Sequence, residues 1–217
     1  IFNQEKLKWD SRFNLTFPSN KLVAYGDLQN SSYANLYTIG QPLFIAKKYQ
    51  LENVDPESGI YTFTDFDKDG RITSPNDQQK LILTGQQFFG GLENILSIGR
   101  FTISALFQFV KQKQSENYLT NIAGRPGFLT NQPTWVMSRW QNPGDKTQIQ
   151  RFVNSNATAN SAYSMYRLSD AAYSNASFVR FRNIYVSAQV FSQKNNNRFI
   201  RELKLFAQGH NIFTLTK

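Results

Sequence analysis

Period-two alternation dominates the chain. In residues 6–17 the odd positions are Leu7, Trp9, Ser11, Phe13, Leu15 and Phe17, and the even ones are Lys6, Lys8, Asp10, Arg12, Asn14 and Thr16. Successive side chains of a strand point to opposite faces, so this pattern predicts a two-faced strand. Residues 101–109 repeat it, with Phe101, Ile103, Ala105, Phe107 and Phe109 set against Thr102, Ser104, Leu106 and Gln108. Residues 201–213 carry Leu203, Leu205, Ala207 and Phe213 on one face. The other face has Glu202, Lys204, Gln208 and His210, with Phe206 and Ile212 as exceptions. Residues 88–98 and 177–191 also read as strands. In the second, Val179 and Phe181 fall on one face and Ile184, Val186 and Val190 on the other, a slip that predicts a bulge or a partly buried inner face.

These five strands are long beside the mode of about 5–6 residues in globular proteins. Strands that cross a bilayer need about 9–11 residues, apolar outward and polar inward. The connections are lopsided as well. Gly99 and Arg100 alone separate the second and third strands, and a short polar stretch, SQKNNNRFI at 192–200, separates the last two. Segments 18–87 and 111–176, by contrast, are seventy and sixty-six residues long. Short turns at one end and long loops at the other predict an all-β fold, an antiparallel transmembrane β-barrel portion with long extracellular loops. A soluble β-sandwich also alternates, but loops above about 15 residues are uncommon in compact domains.

Composition narrows the chemistry. The 217 residues contain no Cys and one His, His210, which removes disulfides, thiolate metal sites and multi-His cages together. A Ser–His–Asp arrangement would have to use His210, which lies on the polar side of its strand, so no enzyme is predicted. Aromatic residues make up 15% of the chain, too many for a disordered one. No uninterrupted apolar run of about 18 residues occurs, so no membrane helix is predicted, which leaves strands untouched. The net charge is +9, from 24 Lys and Arg against 15 Asp and Glu. The basic residues are not clustered and no nucleic-acid motif appears, so no nucleic-acid partner is predicted.

Seven segments then resemble, in family order, the C-terminal part of SusC/RagA-type TonB-dependent outer-membrane transporters of Bacteroidetes. They are NLTFPSNKLV from Asn14, SSYANLYTIGQPL from Ser31, VDPESGIYTFTDFDKDGRIT from Val54 and FFGGLENILSIGRFTISALFQFV from Phe88. PTWVMSRWQNPGDKTQ from Pro133, SDAAYSNASFVRFRNIYVSAQVF from Ser169 and LKLFAQGHNIFTLTK from Leu203 complete the set. The resemblance covers nearly the whole chain. It implies that residues 1–217 supply about five long strands of a roughly 22-stranded barrel. The plug domain, the earlier strands and the last strand are then expected outside this sequence. It implies active import of an oligosaccharide or peptide, with a SusD-like surface lipoprotein as partner and TonB engaged through the N-terminal part. Location would be the cell outer membrane, in contact with its lipid. Two rivals stay open: a calcium-dependent β-rich surface binding module, and a structural barrel subunit of a larger outer-membrane assembly.

Candidate sites are few. Asp65, Asp67 and Asp69 have the DxDxDG spacing of a calcium loop, with Gly70 at the turn. The Arg71 carbonyl and Asn76 or Asp77 would complete the donors, although position twelve is Asn76 instead of Glu. Calcium is the expected cofactor, in a structural role. Such closely spaced carboxylates are expected to raise one another's pKa values when no cation is bound. Trp135 and Trp140 are candidate stacking platforms for substrate, or else anchor their long loop or dock the lipoprotein. Arg180 and Arg182 share a strand face and are candidates to line the lumen or pair with plug carboxylates.

Overall fold

The structure, a computed structural model, describes residues 2–4, 7–116, 124–192 and 202–216. In chain order the strands are β1 (Phe2–Gln4), β2 (Leu7–Thr16), β3 (Ile45–Lys48), β4 (Leu51–Val54), β5 (Tyr61–Phe63) and β6 (Lys80–Leu83). There follow β7 (Phe88–Ile98), β8 (Phe101–Lys111), β9 (Lys113–Ser115), β10 (Tyr173–Asn175), β11 (Phe178–Ser192) and β12 (Glu202–Thr216), with one α-helix among the described residues, α1 (Ala157–Arg167). The chain divides into two compact units. One holds Ile1–Pro18, Gln86–Gln112 and Ala176–Lys217, and the other Ser19–Gly85 and Lys113–Asn175.

The first unit is a six-stranded antiparallel sheet in the order β1-β2-β7-β8-β11-β12. Its five long strands are the five that alternation predicts. The sixth, β1, has three residues and offers no period to read. The Gly99–Arg100 turn joins β7 to β8, with Gly99 at φ 56°. The connection between β11 and β12, residues 193–201, with Lys194, Arg198 and Arg201, lies outside the described residues.

Register explains the slip in β11. Pairing to β8 shifts between Phe181 and Asn183, so Arg182 is an extra residue. Downstream of it Ile184, Val186 and Ala188 pair with Ala105, Ile103 and Phe101, while upstream Val179 and Phe181 pair with Phe109 and Phe107. One bulge therefore brings both apolar sets to the same face. A matching irregularity in β12 accounts for Ile212. Asn211 is at φ 51°, and the Ile212 side chain covers Gly209, where an added Cβ would lie 2.6 Å from Ile212 Cδ1. Phe206 does stay on the polar face, where its ring stacks 5.9 Å from Tyr185.

The resulting apolar face is continuous across strands. Phe13, Leu92, Phe107, Phe181 and Phe213 form one transverse row, and Trp9, Leu96, Ile103, Val186 and Ala207 another. Phe107 stacks on Phe181 at 4.6 Å between centroids, and Phe13 on Phe109 at 5.9 Å. Large side chains of this face are left open by the protein: Phe13 is 64% exposed and Leu205 and Leu215 62% each, while Phe107, Phe109 and Phe181 are half-buried among their neighbours. The opposite face carries Lys8, Asp10, Arg12, Asn14, Glu93, Thr102, Ser104, Gln108, Arg180, Tyr185, Gln208 and His210. Gly90 on β7 leaves no room for a side chain. A Cβ on Gly90 would run into the Asn14 carbonyl and stand 2.5 Å from the Phe109 ring.

The second unit, made of the two long segments, has its own core. Tyr49, Val54, Tyr61, Phe63, Trp140, Ala162 and Tyr163 are buried together, with Leu51, Ile60, Ile72, Met165 and Tyr166 packed against them. Three two-stranded ladders, β3 with β6, β4 with β5 and β9 with β10, frame it. Helix α1 falls in the stretch NSNATANSAYS, whose polar composition reads as loop. Asn156 starts it as N-cap, its side chain accepting from the Ala159 N–H at 2.9 Å, and Ala159, Ala162 and Tyr163 give it a buried side.

Candidate functional site

The acidic segment lies between β5 and β6 and closes on itself through its own carboxylates. Asp65 accepts the Lys68 N–H at 2.6 Å and the Gly70 N–H at 2.8 Å, using both oxygens. Lys68 and Gly70 sit at φ 60° and 83°, the left-handed region that lets the chain wrap round Asp65. Asp69 accepts the Arg71 N–H at 2.7 Å. Asp77 is fully buried and joins the two ends of the loop, accepting the Phe66 and Thr73 N–H groups at 2.7 Å each.

Three carboxylates converge. One oxygen from each of Asp65, Asp67 and Asp77 lies within 4.8 Å of the other two. Asp69, the third residue of the DxDxDG spacing, is outside this group and caps Arg71 instead, while Asp77 takes its place. Asn76 turns its amide nitrogen toward Asp67 at 2.7 Å. The backbone also alters the expected electrostatics at Asp65. Its carboxyl is held below the ordinary aspartate value of 3.8, chiefly by the Gly70 N–H, and not raised by its neighbours. The donor set is hard oxygen throughout, which fits a hard divalent cation.

The two tryptophans part company. Trp140 is buried in the loop core and donates from Nε1 to the Pro56 carbonyl at 2.8 Å. Its indole occupies the place of a Gly59 side chain, where a Cβ would run into Cδ2 and Cε3 of the ring. So Trp140 is packed and presents no face for stacking. Trp135 is 42% exposed and lines a cleft of about 540 Å³ with Ser138, Lys146, Gln148 and Tyr166. Tyr166 is itself stacked on Tyr61 at 4.4 Å, and burial pushes its phenol pKa up. Nearby, Asp145 accepts the Gln141 and Asn142 N–H groups at 2.9 Å, and Arg139 lies 3.6 Å over the Phe152 ring.

On the polar face of the sheet, Arg180 donates from Nε to the Thr214 hydroxyl at 3.0 Å, and Arg182 reaches the Gln108 side-chain oxygen at 3.5 Å. His210 pairs with the Asn183 side chain at 2.9 Å. Arg12 differs from the other two arginines: it lies 3.3 Å from both Asp10 and Glu93. The bulge at Arg182 is what assembles this group, and the irregular alternation of residues 177–191 is its signal in the sequence. Nothing in the sequence singles out Asp77 as a buried residue.

No protein-family model matches the sequence, and no curated protein does. Solved structures do match, across the whole chain. The fold is similar to that of the RagAB peptide transporter. That structure aligns with 100% of this chain at TM-score 0.75 and 16% identity. The RagAB peptide importer in its "open-open" state aligns at TM-score 0.76 and 14% identity, and in its "closed-closed" state at 0.72 and 14%. In each case this chain spans about a quarter of the matched chain, 24%, 24% and 25%. At such identities the likeness is one of fold: an antiparallel, all-β chain, related in architecture to these transporters.

Proposed function

We propose that the chain is the C-terminal part of an outer-membrane TonB-dependent transporter of the SusC/RagA kind, and that it imports a nutrient oligomer. The observation that carries this reading is the sheet. Its five long strands keep every bulge in register so that one uncovered apolar face runs through all of them. In water such a face is a liability, whereas against lipid tails it is required. The sheet also ends in two edges, β1 and β12, and edges at membrane depth must be paired by further strands. The likeness to RagAB chains over the full length supports the same architecture.

A peptide is the favoured cargo of the two oligomer classes, because the matched structures are a peptide transporter and importer. The SusD-like lipoprotein partner and the TonB coupling follow from the sequence resemblance. In this reading the chain moves a ligand and transforms none. The carboxylates of Asp65, Asp67 and Asp77 would hold calcium as a structural ion, which would neutralise their mutual repulsion and pin the loop. Two measurements on the full-length protein test the reading. It should stay in the outer-membrane fraction through urea and carbonate washing and run as a heat-modifiable band. A labelled oligopeptide should enter cells only while TonB is functional. Release by urea, or uptake that ignores TonB, would overturn it.

A further inference from the structure

We propose that Arg180 and Arg182 form an anion-recognition subsite on the polar face of the sheet, which takes carboxylate groups of the transported oligomer and so favours acidic peptides. The inference rests on the transporter reading above, which turns this face to the lumen.

Charge pairing on the face is uneven. Asp10 and Glu93 both serve Arg12 at 3.3 Å. Glu202 accepts from Gln189 at 3.2 Å, many residues away along β11. Arg180 bonds the Thr214 hydroxyl and lies 4.9 Å over the Phe178 ring, and Arg182 reaches the Gln108 side-chain oxygen, so each arginine meets only neutral groups. Among the described residues, neither has an ion pair. A guanidinium has five N–H donors in a planar fork that matches a carboxylate, and one or two bonds to neutral oxygens leave most of that fork free.

Backbone geometry brings these groups together. Residues two apart on a strand stand about 7 Å apart on one face. The bulge between Phe181 and Asn183 adds Arg182 to the face that already holds Arg180, and Asn183 follows it. β12 is irregular at the same level: Asn183 pairs with His210, while Phe181 pairs with Phe213, so Asn211 and Ile212 together stand opposite Arg182. Asn183 and His210 hydrogen-bond one another beside the two arginines. Next to them is an open cleft of about 390 Å³, lined by Arg182, Gln108, Asn14, Thr16 and the Gly90–Gly91 pair. Gly91, which pairs with Asn14 and Gln108 on this face, carries no side chain, so a ligand can approach the β7 backbone there. The place thus offers two cations with no carboxylate partner among the described residues, further polar groups and room. Bulges recur where a side chain has to be re-aimed for function.

The test uses the full-length protein in outer membranes and two labelled peptides of equal length, one rich in Glu and the other its Gln counterpart. The wild type should take up the Glu peptide in preference, and added salt should shrink the preference. In R180Q/R182Q the Glu-to-Gln uptake ratio should fall about tenfold, the loss expected for a charge-assisted bond. In R180K/R182K, which keeps the charges but loses the forks, it should fall less. Heat-modifiability reports folding, and R182Q alone serves if the double variant does not fold. An unchanged ratio in R180Q/R182Q, or equal loss of both peptides, would overturn the subsite; the second outcome would mean that these arginines pair with another part of the transporter. If the wild type takes up both peptides equally, the subsite fails and the transporter reading stands. If it is folded and takes up neither, the peptide-transport reading fails with it.

Discussion

Replacing Ile103 by Arg, set against the same change at Ser104, isolates what the two faces of the sheet meet. The two residues are neighbours on β8 at one depth. Ile103 is 40% exposed on the apolar face, in a row with Leu96 and Val186. Ser104 faces the other way, in a row with Ile95 and Tyr185. A lipid-facing Arg near the midplane costs about 2–4 kcal/mol, and less toward the interface. At about 1.4 kcal/mol per decade this is roughly a 30- to 700-fold loss in the folding equilibrium. At Ser104 the guanidinium would enter polar surroundings and the cost should stay below about 1 kcal/mol. The assay is urea-dependent folding of the full-length barrel into phospholipid bilayers. Equal costs at the two positions would refute the reasoning, because a soluble sheet or a sheet covered on both faces gives no such contrast.

Other outcomes follow from particular contacts. Gly59→Ala should destabilise the loop unit by about 1–3 kcal/mol, because its Cβ would enter the Trp140 ring at a φ of 68°; limited proteolysis of residues 124–153 reads this. The depressed Asp65 pKa contributes loop stability that is present above its unfolded value near 3.8 and is lost as pH falls through the lower folded value. Protease cleavage between Asp65 and Asp77 should therefore rise only below about pH 4. Millimolar calcium should slow that cleavage at neutral pH, and Asp67→Asn with Asp77→Asn should abolish the protection; protection that survives these changes would refute calcium there. The chain has no Cys, so Asn142→Cys should react with an impermeant maleimide on intact cells and Arg100→Cys should not.

Most of the strand architecture is written in period two, because a strand with one apolar face has to alternate. What alternation leaves out is what breaks it. The face change at Arg182 and the displaced Ile212 are visible as irregularities, but their cause, an extra residue against a partner strand, is a long-range fact. Helix α1 escapes notice for another reason. Its stretch is rich in Asn, Ser and Ala, and only packing of Tyr163 and Ala162 into a distant core selects the helix. The acidic loop is legible as a spacing of Asp residues. That Asp77 replaces Asp69 in the converging trio depends on the loop doubling back, which no local spacing encodes. Trp140 differs from Trp135 through partners far away in sequence: the side-chain-free Gly59 that receives its ring and the Pro56 carbonyl that takes its N–H.

Nitroxide scanning along β8, residue by residue from Phe101 to Val110 in the full-length protein in its own membrane, bears most directly on the barrel reading. Oxygen concentrates in lipid and a nickel chelate in water. Labels at 101, 103, 105, 107 and 109 should collide with oxygen, and labels at 102, 104, 106 and 108 with the chelate, alternating with the period of the strand. Labels that favour the chelate at Ile103 and Phe107 as strongly as at Ser104 and Gln108 would mean that no lipid touches this sheet, and would contradict a membrane-spanning barrel.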